Sequence, residues 1–203
     1  MKNIITLIAL AFVLTVPVLA QPTVTLLTFE SYTFQDKFDT EYGSGKIQDG
    51  FQWGTGLELG LHETAAIELI YQHMDGDVYY QGINQQYTGK VGVNYFLIGG
   101  TRSAPVNDKI SGFGTLDLGA GHFTTSSSLA SENVTKFTIG GRLGLRIAVS
   151  EKVSIRLHGQ LLSPVQWAGG GFYFGTGGTG AGVSTGSTIY QWNLGGSLNF
   201  RIR

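Results

Sequence analysis

The stretch Ile47-Gln48-Asp49-Gly50-Phe51-Gln52-Trp53-Gly54-Thr55-Gly56-Leu57-Glu58-Leu59-Gly60-Leu61 decides the fold class. From Phe51 onward its odd positions are apolar or aromatic, apart from Thr55, while its even positions are Gln, Gly or Glu. Side chains of a β-strand point alternately to two faces, so this segment has one greasy face and one polar or bare face. A second run repeats the split. Phe137, Ile139, Leu143, Leu145, Ile147 and Val149 stand against Lys136, Thr138, Gly140, Arg142, Gly144 and Arg146. Strands of soluble domains usually run about 5 to 6 residues, whereas a tilted strand crossing a bilayer needs about 9 to 11. Both runs reach the longer figure.

Outward from these two runs, the rest of the chain fits the same template. Tyr87, Val91, Val93, Tyr95 and Leu97 oppose Gln86, Thr88, Lys90, Gly92 and Asn94, which predicts an apolar outer face and an inward Lys90. Val153, Ile155, Leu157, Leu161, Val165 and Trp167 oppose Ser154, Arg156, His158, Gln160 and Gln166. Between 110 and 123, Leu116 and Leu118 lie on one face but Phe113 and Phe123 on the other, so Asp117 is inward only if the leucines face out. The segment 23–34 does not declare its outer face. Strands are predicted at 23–34, 47–61, 66–74, 86–98, 110–123, 134–149, 153–167 and 188–203. The links 35–46, 75–85, 124–133 and 168–187 are long, 62–65 and 150–152 are short, and 99–109 is intermediate.

These features predict an all-β fold over 21–203, an eight-stranded antiparallel up-and-down transmembrane β-barrel. An even count lets the first and last strands pair antiparallel, and closure removes the sheet edges that hydrocarbon does not tolerate. Long links on one side and short ones on the other predict outward loops with both termini in the periplasm. Trp53, Tyr71, Tyr95, Trp167, Tyr190 and Trp192 are candidates for interfacial girdles. A soluble β-sandwich or lipocalin-like barrel is the competing reading at this length.

Composition narrows the setting. Met1 to Ala20 carries Lys2, an apolar stretch from Ile4 to Val16, Pro17 and the small-residue ending Val18-Leu19-Ala20, the pattern of a secretion signal cleaved before Gln21. Without it the chain has 12 basic against 14 acidic residues, a net charge of −2, and nothing points to nucleic acid. Only 13% of residues are charged and 31 are glycine. A membrane barrel accounts for this, because each strand is apolar only at alternate positions. The absence of cysteine excludes lipid attachment through a thiol, disulfides and thiolate metal sites.

The interior of an eight-stranded barrel is just wide enough to be filled by side chains, so inward residues are the place to look for chemistry. The predicted inner charge network is Glu58, Glu68, Lys90, Lys136, Arg142, Arg146, Arg156 and His158, with Arg201 on the same face farther on. The structural reading is that the glutamates neutralise the arginines. A surplus of cations would instead make an anion-selective pore or gate. Neither a catalytic set, a metal site nor a cofactor is predicted. His73-Met74-Asp75-Gly76-Asp77 is first a turn signal, and the Gly-rich 169–186 segment has no lysine and lacks the phosphate-cradling pattern. Within that segment, Phe172, Tyr173 and Phe174 form a candidate partner-contact loop.

The terminal run from Tyr190 through Trp192 and Leu198 to Phe200 resembles the C-terminal assembly signal of outer-membrane proteins, although Arg201, Ile202 and Arg203 follow where that pattern ends on the aromatic. The resemblance implies recognition by the barrel-assembly machinery. With its leader and strand count, the chain resembles the small OmpA/OmpX/OmpW-type barrels. This implies a bacterial outer-membrane location and lipid as neighbour, and it leaves the role open. His122, Ser126 and Glu132 resemble in type the His/Ser/Glu set of lipid A deacylases, but the His and Ser are four positions apart rather than two. The expectation is therefore a non-enzymatic barrel with a structural or surface-interaction role. The alternatives are a porin-like small-solute channel or a subunit of a larger secretion or surface-assembly complex with other envelope proteins.

Overall fold

The alternating segments fold into long antiparallel strands. The computed structural model describes residues 23–40, 43–82, 86–126, 131–165, 171–173, 180–182 and 190–202. The predicted secretion signal at 1–20, together with Trp167 and Phe174, lies outside them. The strands are β1 (Thr23–Thr33), β2 (Asp36–Thr40), β3 (Gly43–Ile47), β4 (Gly50–His62), β5 (Ala65–Gly82), β6 (Gln86–Pro105), β7 (Ile110–Ser126), β8 (Ser131–Ala148), β9 (Val153–Val165), β10 (Gly171–Tyr173), β11 (Gly180–Gly182) and β12 (Gln191–Arg201).

Eight of these, β1, β4 to β9 and β12, pair with their neighbours in chain order, and β12 returns to pair with β1. The sheet is therefore a closed antiparallel barrel. Its stagger can be followed through the register. From Thr33 the row runs through Asn193, Gln160, Arg142, Thr115, Thr101, Ala66 and Gly60 and arrives at Thr23, ten residues earlier on the same strand. With eight strands and ordinary strand spacings, that stagger tilts the strands by about 40° from the barrel axis. Such a wall coils sharply. At inward Gly119 and Gly144 a Cβ would run into the carbonyl oxygens of Phe96 and Leu157, so neither position admits a side chain.

Three connections are tight turns, at 63–64, 106–109 and 149–152. Two are fixed by side chains. The Asn107 carboxamide oxygen accepts from the backbone N–H of Lys109 and of Ile110, each at 2.9 Å, and the Ser150 hydroxyl accepts from Lys152 N and Val153 N. At the opposite end the strands run on well past the predicted boundaries. The predicted loop 35–46 is largely the hairpin of β2 and β3, which adds to β5, and most of 75–85 and 124–133 is strand. Beyond the lipid neither face must be apolar, so the period-2 signal fades while backbone pairing continues.

The outer face is apolar. Leu116 and Leu143 are each 75% exposed, and Leu57, Leu69, Ile98, Leu118, Leu145, Leu157 and Leu194 stand exposed around them. In water this continuous surface would drive aggregation; in hydrocarbon it is the matched surface. An aromatic belt lies toward the long hairpins, formed by Tyr32, Phe34, Phe51, Trp53, Phe96, Phe137, Tyr190 and Trp192, with Tyr71 half-buried between Trp53 and Phe96. Tyr95 is the exception among the predicted girdle residues. It is fully buried, as are Val91, Val93 and Leu97, while Phe96 and Ile98 face out, so β6 presents the opposite face from that predicted. The reason is that both faces of β6 carry apolar residues, and alternation alone separates two faces without saying which one meets lipid.

Candidate functional site: a filled lumen

Inward side chains form three storeys. Nearest the tight turns is a charged one, in which six groups alternate in sign across the barrel. Arg146 Nη2 donates to Glu58 Oε2 at 2.6 Å, Arg156 bonds both Glu58 and Glu68, and Arg142 bonds both Glu68 and Asp117. Arg142 Nη2 lies 2.6 Å from Glu68 Oε2, and its Nε and Nη2 both reach the Asp117 carboxylate at 3.1 Å. Thr101 donates its hydroxyl proton to Glu68 at 2.7 Å and shares a second hydroxyl contact with Thr115. Aromatic faces complete the packing, with the Arg142 guanidinium over Phe29 and that of Arg156 over Phe113. Buried charges are tolerated when paired, and every charge here has an opposite partner, although Arg142 Nη1, Arg146 Nε and Arg156 Nε are buried without a hydrogen-bond partner among the described residues.

The register explains the pattern. Glu58 lies directly opposite Glu68 on β4 and β5, and Arg146 lies opposite Arg156 on β8 and β9. Like charges side by side on a sheet repel, and here each is neutralised from the far wall. Three guanidinium groups meet three carboxylates. The surplus of cations read from the sequence is absent from this storey, because Asp117 joins it and Lys90 does not. Lys90 is exposed on the outer face of β6, a correction that follows from the inverted facing of that strand.

Above the charges is a storey of amides. Gln72 and Gln160 bond each other across the lumen at 3.2 Å, Asn193 donates to Gln160, Ser31 donates to Gln52, and Tyr95 donates to Gln191 at 2.6 Å. The third storey, toward the long hairpins, is apolar: Ile47, Met74, Val78, Val91, Val93 and Phe123 are all buried. Lys136 is buried on the inner face of β8, nearer the hairpins than Arg142.

The remaining candidates take separate places. His158 is buried in the charged storey, edge-on to Phe29, and neither ring nitrogen has a hydrogen-bond partner among the described residues. Arg201 is exposed at the end of β12. His122 faces outward and bonds the Thr135 hydroxyl at 2.9 Å. His73 sits on the outer wall between Asn94 and Asp75, and among the described residues no group of three metal-binding side chains comes together. Phe172 and Tyr173 belong to β10, which pairs with β11 in a hairpin separate from the barrel sheet. Trp192, Leu198 and Phe200 line the outer face of β12, with Tyr190 immediately before it. Asp117, Thr101 and the Gln72–Gln160 pair were not singled out with certainty from sequence. An outward Leu116 and Leu118 is the signal that places Asp117 inside.

Solved structures share this architecture. The crystal structure of Neisserial surface protein A superposes with a TM-score of 0.61 at 9% identity, covering 88% of this chain and 97% of that one. The outer membrane protein OprG from Pseudomonas aeruginosa gives 0.55 at 10% identity, covering 88% and 96%. Outer membrane protein AlkL, determined in lipid bilayers, gives 0.54 at 9% identity, covering 91% and 92%. The chain has the fold of the small outer-membrane β-barrels. At such identities the likeness is one of fold alone. No sequence-family model matches this barrel, and no characterised protein matches it in sequence.

Proposed function

We propose that this barrel is a non-enzymatic component of the bacterial outer membrane, a closed wall with a structural or surface-contact role. Residues 1–20 act as a cleaved export signal, the tight turns and both termini face the periplasm, and the long hairpins face outward, where Phe172, Tyr173 and Phe174 meet a partner. Tyr190, Trp192, Leu198 and Phe200 serve as the strand read by the barrel-assembly machinery. The observation that carries the reading is the charged storey. Six groups from five strands cross the lumen and bond one another, which opposes passage of solute.

Planar-bilayer recording tests it. The purified barrel should give no regular conductance steps. Clear steps that vanish when Arg142 and Arg146 are neutralised, in a protein still showing heat-modifiable gel migration, would replace the closed wall with a channel.

A further inference from the structure

On the outer wall, four neighbouring strands change from apolar to polar at the same register row. Tyr71, Phe96, Ala120 and Phe137 form one outward row across β5 to β8, and His73, Asn94, His122 and Thr135 form the next row toward the hairpins. Hydrogen bonds hold this polar row in place. Asn94 Oδ1 accepts from the Tyr71 hydroxyl at 2.8 Å and from His73 Nδ1 at 2.9 Å, and His73 Nε2 lies 3.2 Å from Asp75 Oδ2. His122 Nδ1 contacts the Thr135 hydroxyl at 2.9 Å. Two bonds to its carboxamide oxygen fix Asn94 in one orientation and turn its two side-chain N–H groups away. Neither N–H has an acceptor among the described residues.

One outward row farther on, β6 is bare. At Gly92 a Cβ would meet only Asp75 Oδ1, at 3.4 Å, so this glycine floors a shallow depression that the barrel's own packing leaves open. Asp75 of β5 and Thr124 of β7 stand directly beside it in register, and Asn94 and Lys90 flank it along β6. The Asp75 side chain is 83% exposed, and Lys90 is exposed opposite Asp77. The rim therefore offers an acceptor, Asp75, next to a fixed donor, the Asn94 amide.

We propose that the Gly92 depression binds a neutral saccharide, with its hydroxyl protons donated to the Asp75 carboxylate and its hydroxyl oxygens accepting from the Asn94 N–H groups. A hydroxyl both donates and accepts, so neighbouring hydroxyls on a sugar ring match a rim that pairs a carboxylate with an amide. Charge selects against other ligands. Asp75 and Asp77 oppose an anion such as a phosphate, and Lys90 with the Asn94 N–H groups opposes a cation. A metal ion finds no set of three ligands among the described residues. The site lies on the outer wall, so its test is independent of whether the lumen conducts.

The test uses the full-length mature barrel, isotope-labelled in alkyl phosphocholine micelles, and reads the Asn94 side-chain amide by nuclear magnetic resonance. The probes are free maltose and dodecyl maltoside. A saturable shift with maltose assigns a soluble glycan, and one with the maltoside alone assigns a lipid-linked sugar; either supports the proposal. Gly92→Val fills the depression and should weaken the apparent affinity by about tenfold, and Asp75→Ala should do the same by removing the acceptor. Gly159→Val, at an outward glycine of β9 where a Cβ meets nothing nearer than 4.0 Å, should leave it unchanged. All three variants are compared as heat-modifiable, folded protein, and each of the two rim variants tests the site without the other. No saturable shift with either sugar, or wild-type affinity in a folded Gly92→Val or Asp75→Ala barrel, would overturn the proposal. An equal shift with a chain-matched phosphoethanolamine would also overturn it, by making the ligand a zwitterion.

Discussion

The two ends of the lumen solve the same packing problem with opposite chemistry. Near the tight turns, Glu58, Glu68, Asp117, Arg142, Arg146 and Arg156 fill the space with paired charges; near the hairpins, Met74, Val78, Val91, Val93 and Phe123 fill it as an ordinary core does. Methyl and phenyl groups have no directional requirement, so the apolar end tolerates rearrangement. The charged end does not, because each carboxylate depends on donors from particular strands. Losing one charged partner should therefore cost more than losing one apolar side chain of similar size.

Arg142→Met is the sharpest way to break the contrast. It leaves Asp117 without its guanidinium and Glu68 with one partner fewer, and about 3 to 5 kcal/mol of stability should be lost in urea titration of the folded gel band. Replacing Asp117 and Arg142 together with Asn and Met, which leaves Glu58 and Glu68 against Arg146 and Arg156, should recover most of it. At the apolar end, Met74→Ala should cost about 2 to 4 kcal/mol by the same measurement, through lost burial and the cavity left behind. The amide storey between them comes next. Tyr95→Phe removes the bond to Gln191 and should cost about 1 to 2 kcal/mol, with the edge contact to Phe123 retained. Lys90→Ala should change stability by less than about 0.5 kcal/mol. A larger loss there would argue that the residue belongs inside after all.

These contrasts also mark what the sequence could convey. Segments such as 47–61 and 134–149 were legible because lipid on one side and a polar lumen on the other impose opposite demands on adjacent residues. On β6 the lumen is itself apolar, the demands coincide, and Val91, Val93 and Tyr95 read as a lipid-facing row. That inversion carried Lys90 into the predicted network. Hairpin lengths were unreadable for a related reason: outside the membrane the outer face need not be apolar, so backbone pairing continues without the strict alternation that marks a strand. Charge pairing across the lumen depends on the stagger of ten, which no single strand encodes. Glu58, Glu68 and the arginines were nevertheless identifiable, since a charged residue in a long alternating strand has one tolerable place.

The like-charged neighbours give the charged storey a further property. In the β4–β5 hairpin two glutamates stand side by side, and in β8–β9 two arginines do. Neither hairpin gains from its charges alone, and each is burdened by them until the opposite wall arrives. The Arg142–Asp117 pair joins the neighbouring strands β7 and β8, but the pairs that neutralise Glu58 and Glu68 form only across the closed ring, so these charges act as a cooperative latch. Partly assembled sheets are left without it, and any opening of the wall must forfeit several pairings together.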